Sequence, residues 1–165
     1  MNRQQEPLFP APGAGKAARP RVEIFADGSC HGNPGPGGWG SIVRIDGKDT
    51  ELSGGKAATT NNEMELTGAL EALKSLATPC DVTVTTDSQY LVKGMGEWMK
   101  GWIRNGWKTA GKQPVKNREL WEALNAQAQK HRIRWAWVRG HDGHAENERC
   151  NTLANNAAAH QKRRI

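Results

Sequence analysis

The period of the apolar positions changes several times along the chain. In "RVEIFAD" Val22, Ile24 and Ala26 alternate with Arg21, Glu23 and Phe25, which predicts a strand ending at Asp27. "WGSIVRIDGKDTELSGG" holds two more alternating runs on either side of Asp46-Gly47, a pair suited to a tight hairpin, so the first three strands form an antiparallel meander. The period then lengthens. In "TTNNEMELTGALEALKSLA" Leu66, Ala69, Leu70, Leu73 and Leu76 fall on one helical stripe behind Thr and Asn residues suited to capping. "DVTVTTD" is a fourth strand ending at Asp87, and "SQYLVKGMGEWMKGWIRNGWKTAGKQPVKN" is helical in part and broken by glycines. "RELWEALNAQAQKH" forms an amphipathic helix through Leu120, Trp121 and Leu124, "RIRWAWVRG" a fifth strand, and "HAENERCNTLANNAAAHQ" an Ala-rich last helix. The order βββαβ(α)αβα predicts the α/β class, a mixed sheet of five strands with helices packed on it.

Composition adds boundaries. Residues 1–20 hold Pro7, Pro10, Pro12 and Pro20 among Ala and Gly, too little apolar surface to offset ordering, and read as a disordered tail. One domain spans residues 21–160, and 161–165 form a basic end. Cys30, Cys80 and Cys150 lack C-x-x-C spacing, which fits free thiols in a reducing compartment. No window approaches the ~20 apolar residues of a membrane span and no signal-peptide core is visible, so the expectation is a cytoplasmic monomer without a membrane partner.

Charge narrows the partner. Between Lys93 and Arg118 lie Lys93, Lys100, Arg104, Lys108, Lys112, Lys116 and Arg118 against Glu97 alone, a balance of +6 that equals the net charge of the whole chain. Trp98, Trp102 and Trp107 are interleaved with these cations, a combination that suits a nucleic-acid backbone and its bases. At spacings of four and five, Trp98 and Trp102 are also expected to be partly buried.

A strand, a helix and a further strand cross over right-handedly and lie parallel. If the first and fourth strands are neighbours, their ends are ~4.8 Å apart and Asp27 faces Asp87 at the carboxyl edge of the sheet. Two carboxylates so close share a proton or a cation, and hard oxygen ligands favour Mg²⁺ or Mn²⁺. A third carboxylate would come from the crossover helix. Glu63 and Glu65 flank its apolar stripe on opposite sides, and periodicity does not choose between them. His141 follows the fifth strand and suits proton transfer near neutral pH. His144 and Glu148 are four apart, but without H-E-x-x-H order or a second ligand pair a zinc site is disfavoured. Gly35-Pro36-Gly37-Gly38-Trp39-Gly40 matches G-x-G-x-x-G as a string, yet a strand and not a helix follows, which excludes a dinucleotide loop. Its glycines are read as a tight reversal between strands, with backbone close to a nucleic-acid ligand.

"DGSCHGNPGPGGWG", "TTNNEMEL", "TDSQY", "GWKTAGKQPVKN" and "GHDGHAENERCN" together resemble, in order and spacing, the bacterial type 1 ribonuclease H family across residues 21–160. The resemblance implies the ribonuclease H-like fold, βββαβαβα with helices on both faces and a basic helical protrusion at 93–118. It implies an endonuclease that hydrolyses the RNA strand of RNA–DNA hybrids by two-metal-ion catalysis, with two Mg²⁺ per site, leaving 5′-phosphate and 3′-hydroxyl ends. Asp27, Glu65 and Asp87 look like the metal-binding carboxylates, the Met-Glu-Leu match selecting Glu65, and His141 like a mobile histidine. Asn33, Asn61, Asn62 and Gln89 look like minor-groove contacts, and Thr60 with Asn33 like part of a phosphate pocket. Trp98, Trp102 and Lys108 look like contacts of the protrusion to the DNA strand. The fourth acidic position is Asn151, an amide that can ligate a cation but brings no charge. Weaker binding of the second metal follows, with a hybrid-binding protein of weakened catalysis as the alternative. Ala57 and Ala58 replace residues that are often polar or basic, which thins the phosphate contacts.

Overall fold

The structure is a computed structural model that describes residues 19–140 and 144–164. Its elements in chain order are β1 (Arg21–Cys30), β2 (Gly35–Ile45), β3 (Lys48–Thr59), α1 (Asn61–Lys74), β4 (Asp81–Thr86), α2 (Gln89–Lys93), a π-helical turn (Gly94–Trp98), α3 (Met99–Arg104), α4 (Arg118–Lys130), β5 (Arg132–Trp137) and α5 (Ala145–Arg164). The sheet order is β3-β2-β1-β4-β5. β1 pairs antiparallel with β2 and β2 with β3, whereas β1 pairs parallel with β4 and β4 with β5. The expected meander and the parallel β1/β4 pair are both present.

Period two on β1 separates two layers. Val22, Ile24 and Ala26 join Val82, Val84, Leu66, Leu70, Leu73, Trp121 and Leu124 in the main core under α1 and α4. Phe25 points the other way, into a smaller cluster with Ile42 and Cys150 beneath α5. Burying an indole as completely as that of Trp121 stabilises by roughly 2–3 kcal/mol. Asp46 and Gly47 both take positive φ, 53° and 78°, as a two-residue hairpin requires.

The strands run further than alternation suggests. β1 continues through Gly28-Ser29-Cys30, and the glycine stretch is itself the start of β2, with Gly37 to Gly40 paired to β1 and β3. Against Gly38 and Gly40 lies α5. A Cβ on Gly38 would meet the backbone of Ala154 and Ala158, and one on Gly40 would lie 2.5 Å from Leu153 Cβ and 2.6 Å from the Cys150 carbonyl. The expected reversal is confined to His31–Pro34, where Asn33-Pro34 is cis. α5 extends to Arg164, so the boundary expected at 160 falls inside a helix. Among the described residues no helix is long and apolar enough to cross a membrane, and all three cysteines are free.

Candidate active site

Asp27 and Asp87 reach the carboxyl edge from neighbouring strands. Asp27 lies one residue past the β1/β4 pair Ala26–Thr86, and Asp87 directly follows β4. Glu65 arrives from α1, which can approach because residue 28 is glycine: a Cβ there would stand 2.5 Å from the Glu65 nitrogen and 2.6 Å from the Met64 carbonyl carbon. Each of the three carboxylates places an oxygen within 4.8 Å of the others. Glu63, the other helix candidate, instead pairs with Lys56 at 2.6 Å.

Asp27 is 4 % exposed and Glu65 7 %. Asp27 Oδ1 accepts from the Gly28 N–H at 2.9 Å, and Oδ2 from the Asn151 amide at 3.0 Å. Burial, and then the charge of Asp87, push Asp27 up to about 6. Glu65 rises well above the usual carboxylate range, first through burial and then through Asp27 and Asp87. Among the described residues Glu65 Oε1 is buried without a hydrogen-bond partner. A buried acceptor without a partner in a knot of like charge fits a hard divalent cation, which would neutralise the repulsion and bind that oxygen. Asp27, Asp87, His144, Asn147, Glu148, Asn151 and Thr152 line an adjacent cavity of about 220 Å³.

Asn151 stands beside the cluster, but its oxygen is engaged elsewhere: Oδ1 accepts from the Asn155 amide at 2.6 Å. His141 lies outside the described residues. Asn155, and Ser29 behind it, extend this hydrogen bonding from the cluster, and the sequence expectations did not include them. The i, i+4 spacing of Asn151 and Asn155 was the signal that could have found Asn155.

The expected substrate contacts gather in two places. At the start of α1, Thr60 caps the helix by accepting from the Glu63 N–H at 3.1 Å, and Asn33 Oδ1 accepts from the Asn61 N–H at 3.1 Å. Asn61 and Asn62 are exposed there, and Gln89 is exposed at the start of α2, two residues beyond Asp87. The other place is the basic segment. Trp98 is 37 % exposed, partly covered by Tyr90 and Trp102 as expected, while Trp102 packs among Trp98, Trp107 and Trp121 with ring centroids 5.8, 6.1 and 5.1 Å away. Lys108 is exposed and bridges to Pro114 through the backbone. Of the seven cations in this segment, Arg118 alone is ion-paired among the described residues, to Glu122 at 3.3 Å.

A carboxylate triad at the carboxyl edge of this strand order, beside a basic tryptophan-rich segment, is the arrangement that the comparison with known proteins can name. The family model described as RNase H matches residues 19–159. The chain belongs to the RNase H family. Ribonuclease H of Geotalea uraniireducens (strain Rf4) is 66% identical over 134 residues, 81% of this chain and 91% of that relative. Ribonuclease H of Chelativorans sp. (strain BNC1) is 59% identical over 134 residues, 81% of this chain and 83% of the relative. Among solved RNase H structures, LC9-RNase H1, described as a type 1 RNase H with the type 2 active-site motif, superposes with a TM-score of 0.77 at 39% identity. That match covers 87% of this chain and 74% of the other. The α/β sheet with helices on both faces is thus the RNase H fold, and the chain is a nuclease.

Proposed function

We propose that this nuclease hydrolyses the RNA strand of RNA–DNA hybrids with two Mg²⁺ per site, Mn²⁺ being a substitute, and leaves 5′-phosphate and 3′-hydroxyl ends. The observation that carries the reading is the triad of buried Asp27 and Glu65 with half-buried Asp87, Glu65 Oε1 lacking a partner among the described residues, next to a basic surface whose cations, Arg118 apart, are not ion-paired among the described residues. Asp27, Glu65 and Asp87 would hold the cations, which when bound would supply an activated water and neutralise charge developing at the phosphate.

The chain's own groups do the rest. Glu65 accepts from the ribose 2′-hydroxyl, the group that distinguishes RNA from DNA. Asn33 and Thr60 receive a phosphate of the DNA strand near the N-terminus of α1, while Asn61, Asn62 and Gln89 line the minor groove. Trp98 packs on a sugar, Trp102 backs it, and Lys108 with its neighbours neutralises the DNA backbone. His141 assists proton transfer as product departs.

A second reading, a hybrid-binding protein of weakened catalysis, is favoured by one observation: Asn151 brings an uncharged amide to the cluster. One experiment separates the two. RNA–DNA hybrid, RNA duplex and DNA duplex, each end-labelled, are incubated with the protein in Mg²⁺ or EDTA and resolved on a gel. Cleavage of the hybrid's RNA strand alone, in Mg²⁺ alone, supports the nuclease reading. Retention of the hybrid without turnover supports the second, and equal cleavage of all three duplexes contradicts both.

A further inference from the structure

Two residues on β1 and two on α5 form a directed chain of hydrogen bonds that ends on Asp27. Ser29 Oγ donates to Asn155 Oδ1 at 2.6 Å, Asn155 Nδ2 donates to Asn151 Oδ1 at 2.6 Å, and Asn151 Nδ2 donates to Asp27 Oδ2 at 3.0 Å. The rungs match for a geometric reason. Residues two apart on a strand are separated by ~6.6 Å, and residues four apart on a helix by ~6 Å, so Asp27 and Ser29 stand opposite Asn151 and Asn155 pair for pair.

The direction of the chain is dictated by its end. An ionised carboxylate only accepts, so Asn151 must turn its NH₂ toward Asp27. Its oxygen then needs a donor, which Asn155 supplies, and the oxygen of Asn155 needs one in turn, which is the Ser29 hydroxyl. Without Asn155, a cation in the cluster could draw the oxygen of the Asn151 amide inward in place of its NH₂, and the two ends have opposite effects on a carboxylate.

From this we infer that Asn155, supported by Ser29, is a positioning residue that fixes the amide of Asn151, so that Asn151 acts on the reaction as a hydrogen-bond donor to Asp27 and not as an oxygen ligand. The inference rests on the catalytic reading of the triad and assigns the final helix a role within it. Asn155 touches neither substrate nor the reacting atoms; it acts through Asn151.

The test uses the full chain and two variants. Asn155→Ala removes the donor, and alanine suits a helix. Asn155→Asp keeps the shape but replaces the donor with a carboxylate that draws the Asn151 NH₂ away from Asp27. In the metal-free protein, the side-chain NH₂ resonances of Asn151 are expected to shift in both variants, a readout independent of activity. With hybrid in Mg²⁺, Asn155→Ala is expected to lower kcat by roughly tenfold while KM changes little, and Asn155→Asp by at least as much. In an Asn151→Ala background, Asn155→Ala should add no further loss. Unchanged Asn151 resonances in both variants would overturn the inference. So would full additivity, or an Asn155→Asp variant milder than Asn155→Ala, the order expected if residue 155 merely fills space. If the native chain proves not to cut hybrid, the proposed function fails while the resonances still decide on the hydrogen-bond chain.

Discussion

Asp27 is held at both carboxylate oxygens, by its neighbour's N–H and by Asn151, yet its charge is resisted by burial and by Asp87. The sign of the stability effect follows. With its folded pKa raised from 3.8 to about 6, the native state binds more protons than the unfolded chain between those values, so stability in EDTA falls as pH rises through that window. The penalty is absent below the unfolded pKa and complete above about 6. Asp27→Asn should therefore raise stability in EDTA at pH 8 by an amount on the order of 1–3 kcal/mol, seen as a higher Tm, and leave it little changed near pH 3.5. Melting curves at the two pH values check this; a gain at pH 3.5 as large as that at pH 8 would refute it. Asp27 and Asp87 were legible in the sequence because strand ends and a crossover connection place them. Glu65 was not separable from Glu63 by period, since the choice depends on Gly28 admitting the backbone of α1 at that point. The direction of the Asn151 amide was hidden because it depends on a contact between elements more than a hundred residues apart.

The fit between β2 and α5 decides whether Asn151 and Asn155 reach β1 at all. Even-numbered positions Gly38 and Gly40 face the helix, where Cys150, Leu153, Ala154 and Ala158 lie against bare backbone. Gly40→Ala places a methyl group into Leu153 and the Cys150 carbonyl and should cost roughly 2–3 kcal/mol, with a fall in kcat as α5 is pushed off the sheet. Gly101→Ala in α3 is the contrast: nothing lies within 4 Å of the added carbon, and the gain in helix propensity should raise stability by about 0.5–1 kcal/mol. Denaturant unfolding of both variants checks the pair, and equal shifts for the two would contradict it. The same fit explains what alternation missed. Glycine weakens a strand taken alone, so Gly35–Gly40 read as a turn, whereas in the fold the absent side chains are what let a helix lie on the strand. The strands with Val and Ile at alternate positions, and the helices with leucine stripes, carried their signal locally and were legible.

Across the molecule, charge separates the two ends of the sheet. The larger cavity, about 840 Å³, lies at the end remote from the triad and mixes signs: Arg21, Arg44, Arg132 and Arg134 share it with Glu23, Asp46 and Asp81. Arg132 is neutralised by Asp81 at 3.1 Å and Arg44 by Asp49 at 2.7 Å, so its size does not make it a polyanion site. At the carboxyl edge the anionic triad gathers with Glu148 nearby, and α2, the π-helical turn and α3 lead straight from Asp87 into the basic segment with Trp98 exposed. On the proposed function, cations at the triad and a backbone on the basic surface would belong to one ligand, a nucleic-acid duplex whose phosphate reaches the metal site. The most direct test is single-turnover cleavage of a hybrid labelled in its RNA strand, comparing the native chain with Asp27→Asn in Mg²⁺ and in EDTA. The native chain is expected to cut the RNA strand in Mg²⁺, leaving 5′-phosphate ends, and not in EDTA, and Asp27→Asn to be slower by a factor on the order of 100 or more. Native cleavage that persists in EDTA, or an Asp27→Asn variant that keeps the native rate in Mg²⁺, would contradict the assignment of the triad.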